Sequence, residues 1–244
     1  MNIQQNTILI TGGATGLGLA LAEQFLINNN TVIICGRRKD KLEEAKLQFP
    51  LLHTRVCDVS KKEERIALID WLFKNFQQTN VFINNAGIQN YMSLTKAINL
   101  DEVTNEIETN FTAPIHFANL LLPHFLGKQN SYIINITSGL AFSPLALVPV
   151  YCATKAALHS FTLSLRHQLK PTGIQVIEVA PPIVDTNLGG SGRNDNNITH
   201  RGITVNEFAL ETIIALQTNE VEIAVGQASN IRLKREEMFP LMNR

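Results

Sequence analysis

Hydrophobic and polar positions change period repeatedly along this 244-residue chain. Short apolar or β-branched runs of strand length alternate with longer segments whose apolar residues recur every three or four positions, as in a helix. The run at residues 31–35 is apolar at nearly every position, which is expected when both faces of a sheet are covered. The alternation predicts βαβ units built around a parallel sheet.

The predicted elements fill most of the chain. The predicted strands are short apolar runs and cover residues 7–11, 31–35, 54–57, 81–83, 132–136, 175–179 and 221–225. The predicted helices cover residues 16–28, 39–48, 61–76, 100–126 with a division near Pro114, 149–169 and a further segment after residue 205. Residues 1–244 are therefore predicted to form one α/β domain, a Rossmann-like doubly wound parallel sheet of about seven strands with helices on both faces.

One segment departs from this regular composition. Residues 185–204 are polar and rich in glycine and asparagine, and no apolar period is visible in them. Loops of this length inside a compact domain are usually functional or disordered. We expect this segment to be a substrate loop.

Composition narrows the classes of partner. Lysine plus arginine equals aspartate plus glutamate at 21 each, so nothing favours a nucleic acid or a charged membrane surface. Cys35, Cys57 and Cys152 are widely spaced without a Cys-x-x-Cys pair, which favours a reduced cytoplasmic protein. No basic signal-peptide region or membrane-length apolar run is present. The histidines fit no ligand spacing, and no metal site is predicted.

A glycine-rich turn follows the first predicted strand. Residues 11–18 read Thr-Gly-Gly-Ala-Thr-Gly-Leu-Gly and lead directly into the first predicted helix. A nucleotide pyrophosphate needs close backbone approach and free N–H groups at a helix N-terminus. The predicted cofactor contacts in this turn are Gly12, Thr15, Gly16, Leu17 and Gly18. An ordinary tight turn is the alternative, because the spacing differs from the common Gly-x-Gly-x-x-Gly fingerprint.

The end of the second predicted strand bears on which dinucleotide binds. An NAD-binding chain usually places an acid about twenty residues after the glycine turn, but here the order is Cys35-Gly36-Arg37-Arg38. A guanidinium can pair with a 2′-phosphate through two hydrogen bonds. NADP(H) is therefore favoured, with NAD(H) still possible. Arg37 is predicted to make the main contact, and Arg38 either to stack on adenine or to face water.

Tyr151 and Lys155 lie four residues apart on one face of a predicted helix. A fixed ammonium favours the phenolate, so we expect Lys155 to lower the tyrosine pKa from its usual value of about 10. Ser138 lies thirteen positions upstream. Taken alone, the pair is equally the pattern of a surface tyrosine beside a solvated lysine.

Taken together, these residues resemble the short-chain dehydrogenase/reductase family. The matching elements are the glycine turn, Asp58-Val59 after the third strand, Asn84-Asn85-Ala86-Gly87 after the fourth, and then Asn110, Ser138, Tyr151 and Lys155. The match covers about residues 7–186. The chain also resembles a bacterial subgroup labelled as oxidoreductases linked to D-alanine esterification of teichoic acids, a label that names no substrate.

The resemblance implies an NAD(P)-dependent oxidoreductase that reduces a carbonyl or oxidises the alcohol. It makes Ser138 a hydrogen-bond donor to the substrate oxygen, Tyr151 the general acid or base, and Asn110 the residue that places a relay water. Tyr151 and Lys155 would also contact the cofactor, with Lys155 holding the nicotinamide ribose. Further cofactor contacts are implied for Asp58, Val59, Asn85, Ala86, Gly87, Pro181, Ile183 and Thr186.

The segment after the sixth strand departs from the family pattern. The family commonly has Pro-Gly there, whereas this chain has Pro181-Pro182. Pro182 lacks an N–H and fixes φ, so the loop at the nicotinamide is expected to differ in shape.

Two other functions remain open at this point. One is a nucleotide-binding regulator of the same fold with weak catalysis, which would be expected to lose the tyrosine or lysine. The other is an epimerase or dehydratase, which usually has another glycine spacing and a longer substrate domain.

The substrate pocket and the oligomer are also predicted from local patterns. Residues 89–93 and 140–148 are rich in apolar side chains, which favours a partly apolar small-molecule ligand, with Gln89, Asn90 or Arg193 as polar contacts. Small residues form one side of the long helix and predict a homodimer or homotetramer: Ala153, Ala157, Ser160 and Ser164.

Overall fold

The computed structural model describes residues 1–190 and 202–244. Its strands are β1 (Thr7–Thr11), β2 (Thr31–Gly36), β3 (His53–Val56), β4 (Val81–Asn84), β5 (Tyr132–Ile136), β6 (Gln175–Ala180) and β7 (Glu222–Ala224). Its α-helices are α1 (Gly16–Ile27), α2 (Lys39–Gln48), α3 (Lys62–Asn75), α4 (Leu100–Ile107), α5 (Ala113–Phe125), α6 (Pro149–Leu169), α7 (Val205–Leu216), α8 (Ala228–Lys234) and α9 (Phe239–Met242).

The strands form a single sheet in the order β3-β2-β1-β4-β5-β6-β7, and each neighbouring pair is parallel. The order reverses between β1 and β4, where Ile8 pairs with Val81 and Ile10 with Ile83. In open sheets of this kind, ligands bind in the crevice outside the carboxyl ends of the strands at the reversal. The predicted Rossmann-like sheet of seven parallel strands is confirmed.

Successive residues of each strand enter different cores. On β1, Ile8 and Ile10 pack with α1, α2 and α7, whereas Leu9 packs with α3, α5 and α6. The same alternation holds on β2, where Val32 and Ile33 belong to the two separate clusters. Burial on both faces explains why the central strands are apolar at consecutive positions.

Buried polar side chains tie the sheet to α6. Asn84 Nδ2 donates to Asn135 Oδ1 at 2.8 Å, and Asn135 Nδ2 donates to Thr162 Oγ1 at 2.9 Å. The three side chains are almost fully buried, so these bonds satisfy groups that would be costly to leave unpaired. They fix α6 against the ends of β4 and β5.

The helical region around Asn110 differs from the prediction. The division falls at Glu108–Thr112, which forms a π-helical turn between α4 and α5, rather than at Pro114. Pro114 occupies the first turn of α5, where its missing N–H removes little. The other elements begin and end close to their predicted positions.

Backbone contacts between residues 183–184 and residue 203 join the two ends of the segment that follows β6. Val184 forms an isolated parallel bridge with Ile203, and Ile203 N donates to the Ile183 carbonyl at 3.2 Å. The predicted substrate loop at 185–204 is therefore described at its two ends. Within the described residues, no helix combines the length and the apolar character needed to cross a membrane.

Candidate active site

The glycine turn lies at the carboxyl end of β1, where the backbone passes close to β4. Gly12 has a φ of 63°, and a Cβ on it would lie 2.8 Å from Ala86 Cα. A Cβ on Gly18 would lie 2.5 Å from both Asn85 Nδ2 and the Gly12 carbonyl. Side chains cannot occupy these two positions without moving the backbone, so the glycines are required by the packing.

Thr11 and Asn85 join the ends of β1 and β4. Thr11 Oγ1 accepts hydrogen bonds from Asn85 N and Ala86 N, each at 3.1 Å, and Asn85 Nδ2 donates to the carbonyls of Thr11 and Gly12 at 2.9 and 3.1 Å. Thr15 is the N-cap of α1, but its side chain does not cap the helix. The N–H groups that open α1 therefore face the turn, an arrangement suited to a pyrophosphate.

The structure brings Arg38, rather than Arg37, to the glycine turn. Both side chains are exposed, but Arg38 Nη2 donates to Thr15 Oγ1 at 3.2 Å. Asp58, on the far side of this end, accepts hydrogen bonds from the backbone and hydroxyl of Ser60 at 3.0 and 2.8 Å. Val59 is buried beside it. Arg38 and Asp58 thus follow β2 and β3, the two strands on one side of β1 in the sheet.

Ser138 and Tyr151 meet at the carboxyl end of β5. Ser138 follows β5 and accepts a hydrogen bond from Leu140 N at 3.1 Å, so it does cap a short turn. Its hydroxyl is also hydrogen-bonded to Tyr151, in the first turn of α6. Both side chains are buried. The serine is therefore within reach of the same reacting atom as the tyrosine.

Burial sets the ionisation of Tyr151 and Lys155. Lys155 Nζ donates to the Ile136 carbonyl at 2.8 Å and lies 5.7 Å from the centre of the Tyr151 ring. Desolvation lowers the pKa of Lys155 to about 8. Desolvation also raises the pKa of Tyr151 well above its usual value, and the hydrogen bond with Ser138 opposes that rise. The chain alone therefore does not lower the tyrosine pKa as expected; it keeps the phenol protonated and able to donate.

Asn110 lies inside the π-helical turn, so it is not a helix cap. Its Oδ1 accepts from Ile88 N at 2.9 Å, and its Nδ2 donates to the Ile88 carbonyl at 2.8 Å and to Thr154 Oγ1 at 3.1 Å. A π-turn interrupts the regular backbone ladder and is frequent at functional sites. The side chain is committed to holding residue 88 and α6 in place.

The segment after β6 faces the glycine turn. The Pro181 carbonyl accepts from Gly139 N at 2.9 Å, beside Ser138. A Cβ on Gly16 would lie 3.5 Å from Thr186 Cγ2, so the two residues meet across the crevice. The Ile183 carbonyl is used by Ile203 N, and the Ile183 side chain is exposed. Pro181 and Thr186 thus lie beside the site, while the Ile183 carbonyl is already hydrogen-bonded to Ile203 N.

The two predicted pocket walls are joined beside Tyr151. Met92 N donates to the Leu147 carbonyl at 2.9 Å, which links residues 89–93 to residues 140–148. The buried cluster on this side is Val148, Tyr151 and Cys152, packed against Tyr91, Leu140, Leu145 and Leu188. Asn90 turns away from the pocket towards α4, and Arg193 lies outside the described residues.

Sequence patterns missed two buried acids near the site. Glu106 on α4 accepts hydrogen bonds from Asn90. Glu178 on β6 accepts from Thr137 Oγ1 at 2.7 Å and lies 2.8 Å from His159 Nδ1. Glu178 interrupts an otherwise apolar strand, which was an available signal, whereas Glu106 lies in a polar stretch that gives none.

Thiols and metal ligands take no visible part in the site. Cys35, Cys57 and Cys152 are buried and carry no disulfide. Within residues 1–190 and 202–244, no three His, Cys, Asp or Glu side chains are grouped so that they could hold a metal ion.

Comparisons with known sequences give one family. A family model described as short chain dehydrogenase matches residues 6–197. The uncharacterized oxidoreductase DltE of Bacillus subtilis (strain 168) is 46% identical over 233 residues, which cover 95% of this chain and 92% of that protein. An uncharacterized oxidoreductase of Staphylococcus aureus (strain MRSA252) is 33% identical over 180 residues, covering 73% of this chain and 78% of that protein.

Solved structures share the fold at lower sequence identity. A short-chain dehydrogenase from Burkholderia cenocepacia J2315 in complex with NADP has a TM-score of 0.83 at 24% identity, covering 96% of this chain and 94% of that one. A short-chain dehydrogenase/reductase from Burkholderia phymatum in complex with NAD has a TM-score of 0.85 at 19% identity, covering 100% and 98%. At these identities the likeness is one of fold.

Burial of Lys155 predicts a pH-dependent cost to stability. The pKa of Lys155 is about 8 in the folded chain against 10.5 for a solvated lysine. Between these two pH values the unfolded chain therefore binds more protons than the folded chain. The contribution of Lys155 to the free energy of unfolding accordingly rises with pH across that window. The cost is at its full size below about pH 8. We expect Lys155→Met to be more stable than the wild type at pH 7 by about 1–3 kcal/mol in urea unfolding.

The difference should shrink as pH rises from about 8 towards 10.5, where lysine is neutral in both states. Lys170→Met, which changes an exposed lysine, is the matched control and should leave the pH profile of the wild type unchanged. A Lys155→Met variant with the same pH slope as the wild type would contradict the assignment.

Proposed function

This chain belongs to the short-chain dehydrogenase/reductase family, and from that premise we propose that it is an NADP(H)-preferring oxidoreductase that interconverts a carbonyl and an alcohol. The observation that carries the proposal is the convergence of Ser138, Tyr151 and Lys155 at the strand ends beside a side-chain-free glycine turn. A fold alone does not define activity, but these groups have the chemistry that carbonyl reduction needs.

The crevice fits a dinucleotide on its own geometry. Gly12 and Gly18 let the turn pack directly against Asn85 and Ala86, and Gly16, with a φ of 57°, opens α1 opposite Thr186 across the crevice. The pyrophosphate would be held by the backbone of residues 12–18, and the adenosine by Asp58 and Val59. Asn85, Ala86 and Gly87 would line the nicotinamide half together with Pro181, Ile183 and Thr186.

The residues at the reacting end have separate tasks. A bound nicotinamide cofactor supplies or accepts the hydride. Ser138 donates a hydrogen bond to the substrate oxygen, and Tyr151, kept protonated by burial, donates the proton that this oxygen requires. Lys155 carries positive charge close to the phenol and stabilises the phenolate that remains. Asn110 holds Ile88 and Thr154 of α6 in place beside these groups and would position a water that relays the proton.

The alternative is a regulator that binds the nucleotide without turnover. Such a protein needs the glycine turn but has no use for a phenol, an ammonium and a serine hydroxyl gathered in one buried place. Keeping Lys155 buried also costs stability, which favours a catalytic use for it.

Preference for NADP(H) rests on the arginines after β2. Arg38 is anchored by Thr15 at the glycine turn, and Arg37 stands exposed next to it. Either guanidinium can pair with a 2′-phosphate, and the stretch Cys35-Gly36-Arg37-Arg38 at the end of β2 holds no acid to receive a ribose 2′-hydroxyl. The anchoring makes Arg38 the stronger candidate, in place of the Arg37 favoured by sequence.

Self-association is supported by an apolar groove on α4 and α6. The groove has a volume of about 400 Å³ and is lined by Met92, Leu94, Ile98, Val103, Ile107, Phe111, Pro149, Val150, Ala153, Thr154 and Ala157. Ala153 and Ala157 belong to the small-residue side of α6, where close helix approach is possible. We include a homodimer or homotetramer, formed through this surface, in the proposal.

Three buried free thiols also support a reducing compartment. The proposal accordingly places the protein in the cytoplasm.

The proton donor is tested with Tyr151→Phe. We expect NADPH oxidation across a panel of aldehydes and ketones to fall by about 100-fold or more in kcat, because the phenyl ring has no proton to give. The dissociation constant for NADPH should stay within a factor of two. Equal turnover by the two proteins would remove Tyr151 from the mechanism, and no turnover by either would favour the regulator.

Cofactor choice is tested with Arg37→Ala and Arg38→Ala in fluorescence titrations. We expect Arg38→Ala to weaken NADPH binding by about 10- to 100-fold, since hydrogen bonds to charged groups contribute about 1.5–3 kcal/mol. NADH is the internal control and should bind both variants like the wild type. A loss confined to Arg37→Ala would restore the original assignment, and no loss in either variant would remove the preference.

Assembly is tested by light scattering on Ala157→Arg. We expect the wild type to have the mass of a dimer or tetramer and the variant that of a smaller species, because a guanidinium in the apolar groove cannot be paired. Gln48→Arg, on the exposed face of α2, is the control and should keep the mass of the wild type. A monomeric wild type would contradict the proposal.

A further inference from the structure

Two side chains on α4 and the π-turn hold the same short segment after β4. Asn110 binds both backbone groups of Ile88, at 2.9 and 2.8 Å. Four residues earlier, Glu106 accepts from Asn90 N through Oε1 and from Asn90 Nδ2 through Oε2, each at 3.2 Å. Residues 88 and 90 are therefore both fastened towards the helix.

Because residues 88 and 90 are hydrogen-bonded to Asn110 and Glu106, residues 89 and 91 are left to face the pocket. The side chains of the odd-numbered residues Gln89 and Tyr91 reach residue 189 after β6. A Cβ on Gly189 would lie 3.3 Å from Gln89 Nε2 and 3.0 Å from Tyr91 Cε2. Tyr91 also packs against the cluster that contains Tyr151. The segment thus forms a wall between the proton donor and the loop after β6.

Glu106 is an unusual residue to fasten this wall. Its side chain is fully buried, and no lysine, arginine or histidine nitrogen in the described part of the chain lies within 4.0 Å of its carboxylate. Burial raises its pKa, and the hydrogen bonds from Asn90 oppose that rise. Its charge acts on Tyr151 and Cys152 in the adjacent cluster. A purely structural hydrogen bond would not need a charged group at this depth.

We propose that Glu106 is a positioning residue that fixes Gln89 and Tyr91 as the substrate wall and makes the site discriminate against carbonyl substrates that carry a carboxylate. The inference rests on the proposed function and adds a substrate class, uncharged carbonyl compounds. A substrate carboxylate in this pocket would come near the buried Glu106 carboxylate, beside the apolar cluster that contains Tyr151. One charge at about 10 Å, with an effective dielectric constant of about 20, changes relative binding by about tenfold.

The test compares Glu106→Gln with Glu102→Gln. The first change keeps the volume but removes the charge and one acceptor for Asn90; the second makes the same change on an exposed acid one turn earlier. The probes are ethyl acetoacetate and acetoacetate with NADPH. We expect Glu106→Gln to raise KM for the ester severalfold with kcat within about twofold, and to reduce the ester-to-acid ratio of kcat/KM by about tenfold.

Hydrogen exchange gives a readout that does not need turnover. Amides of residues 88–92 should exchange faster in Glu106→Gln than in the wild type or Glu102→Gln, while NADPH affinity stays unchanged. Asn90→Ala should raise the ester KM similarly, and the double variant should add little, because both changes break the same contact. The single variant Asn90→Ala should keep the ester-to-acid ratio of the wild type, since Glu106 retains its charge.

The two hypotheses fail in different ways. A wild type that turns over no carbonyl compound contradicts the proposed function, and the exchange experiment still decides whether Glu106 holds the wall. Unchanged exchange, or an ester-to-acid ratio equal in the wild type and Glu106→Gln, overturns the present inference even when the enzyme is active.

Discussion

The site depends on how closely the ends of β1 and β4 approach each other. Asn85 is bonded through its backbone and side chain to Thr11 and Gly12, and the contact leaves no space for side chains at Gly12 or Gly18. The same lack of side chains leaves the N-terminus of α1 open to the crevice. A packing requirement and a binding surface therefore arise from one set of glycines, at the point where the strand order reverses.

Around this junction the chain keeps ionisable groups where water is scarce. Lys155 and Glu106 are both buried, and desolvation favours the neutral form of each. It lowers the pKa of Lys155 and raises the pKa of Glu106. Their backbone and amide partners offset only part of that cost. Such groups lower stability, and proteins retain that cost where the groups serve the chemistry of a site. Tyr151 shows the same effect: burial raises its pKa and keeps it protonated, and the hydrogen bond with Ser138 opposes that rise.

Most of the fold and the main site motifs could be predicted because their causes are local. A strand buried on both faces is apolar at consecutive positions, as in β2, and a turn packed this closely needs glycine at Gly12 and Gly18. The π-turn at Glu108–Thr112 could not be predicted, because a helical period does not distinguish an inserted residue. The contact between Arg38 and Thr15 could not be predicted, because the two residues lie 23 positions apart in sequence.

The sequence by itself determined the order of strands and helices, the nucleotide-binding turn, and the presence of a serine, tyrosine and lysine in family register. Tertiary structure decided what those groups can do. Burial, which depends on neighbours from β4, β5 and α4, reversed the expected direction of the tyrosine pKa shift. Tertiary structure also brought Glu106 within hydrogen-bond distance of Asn90, which lies sixteen residues away in sequence. Periodicity reports which face a residue occupies, but desolvation and hydrogen bonding depend on which distant segments meet there.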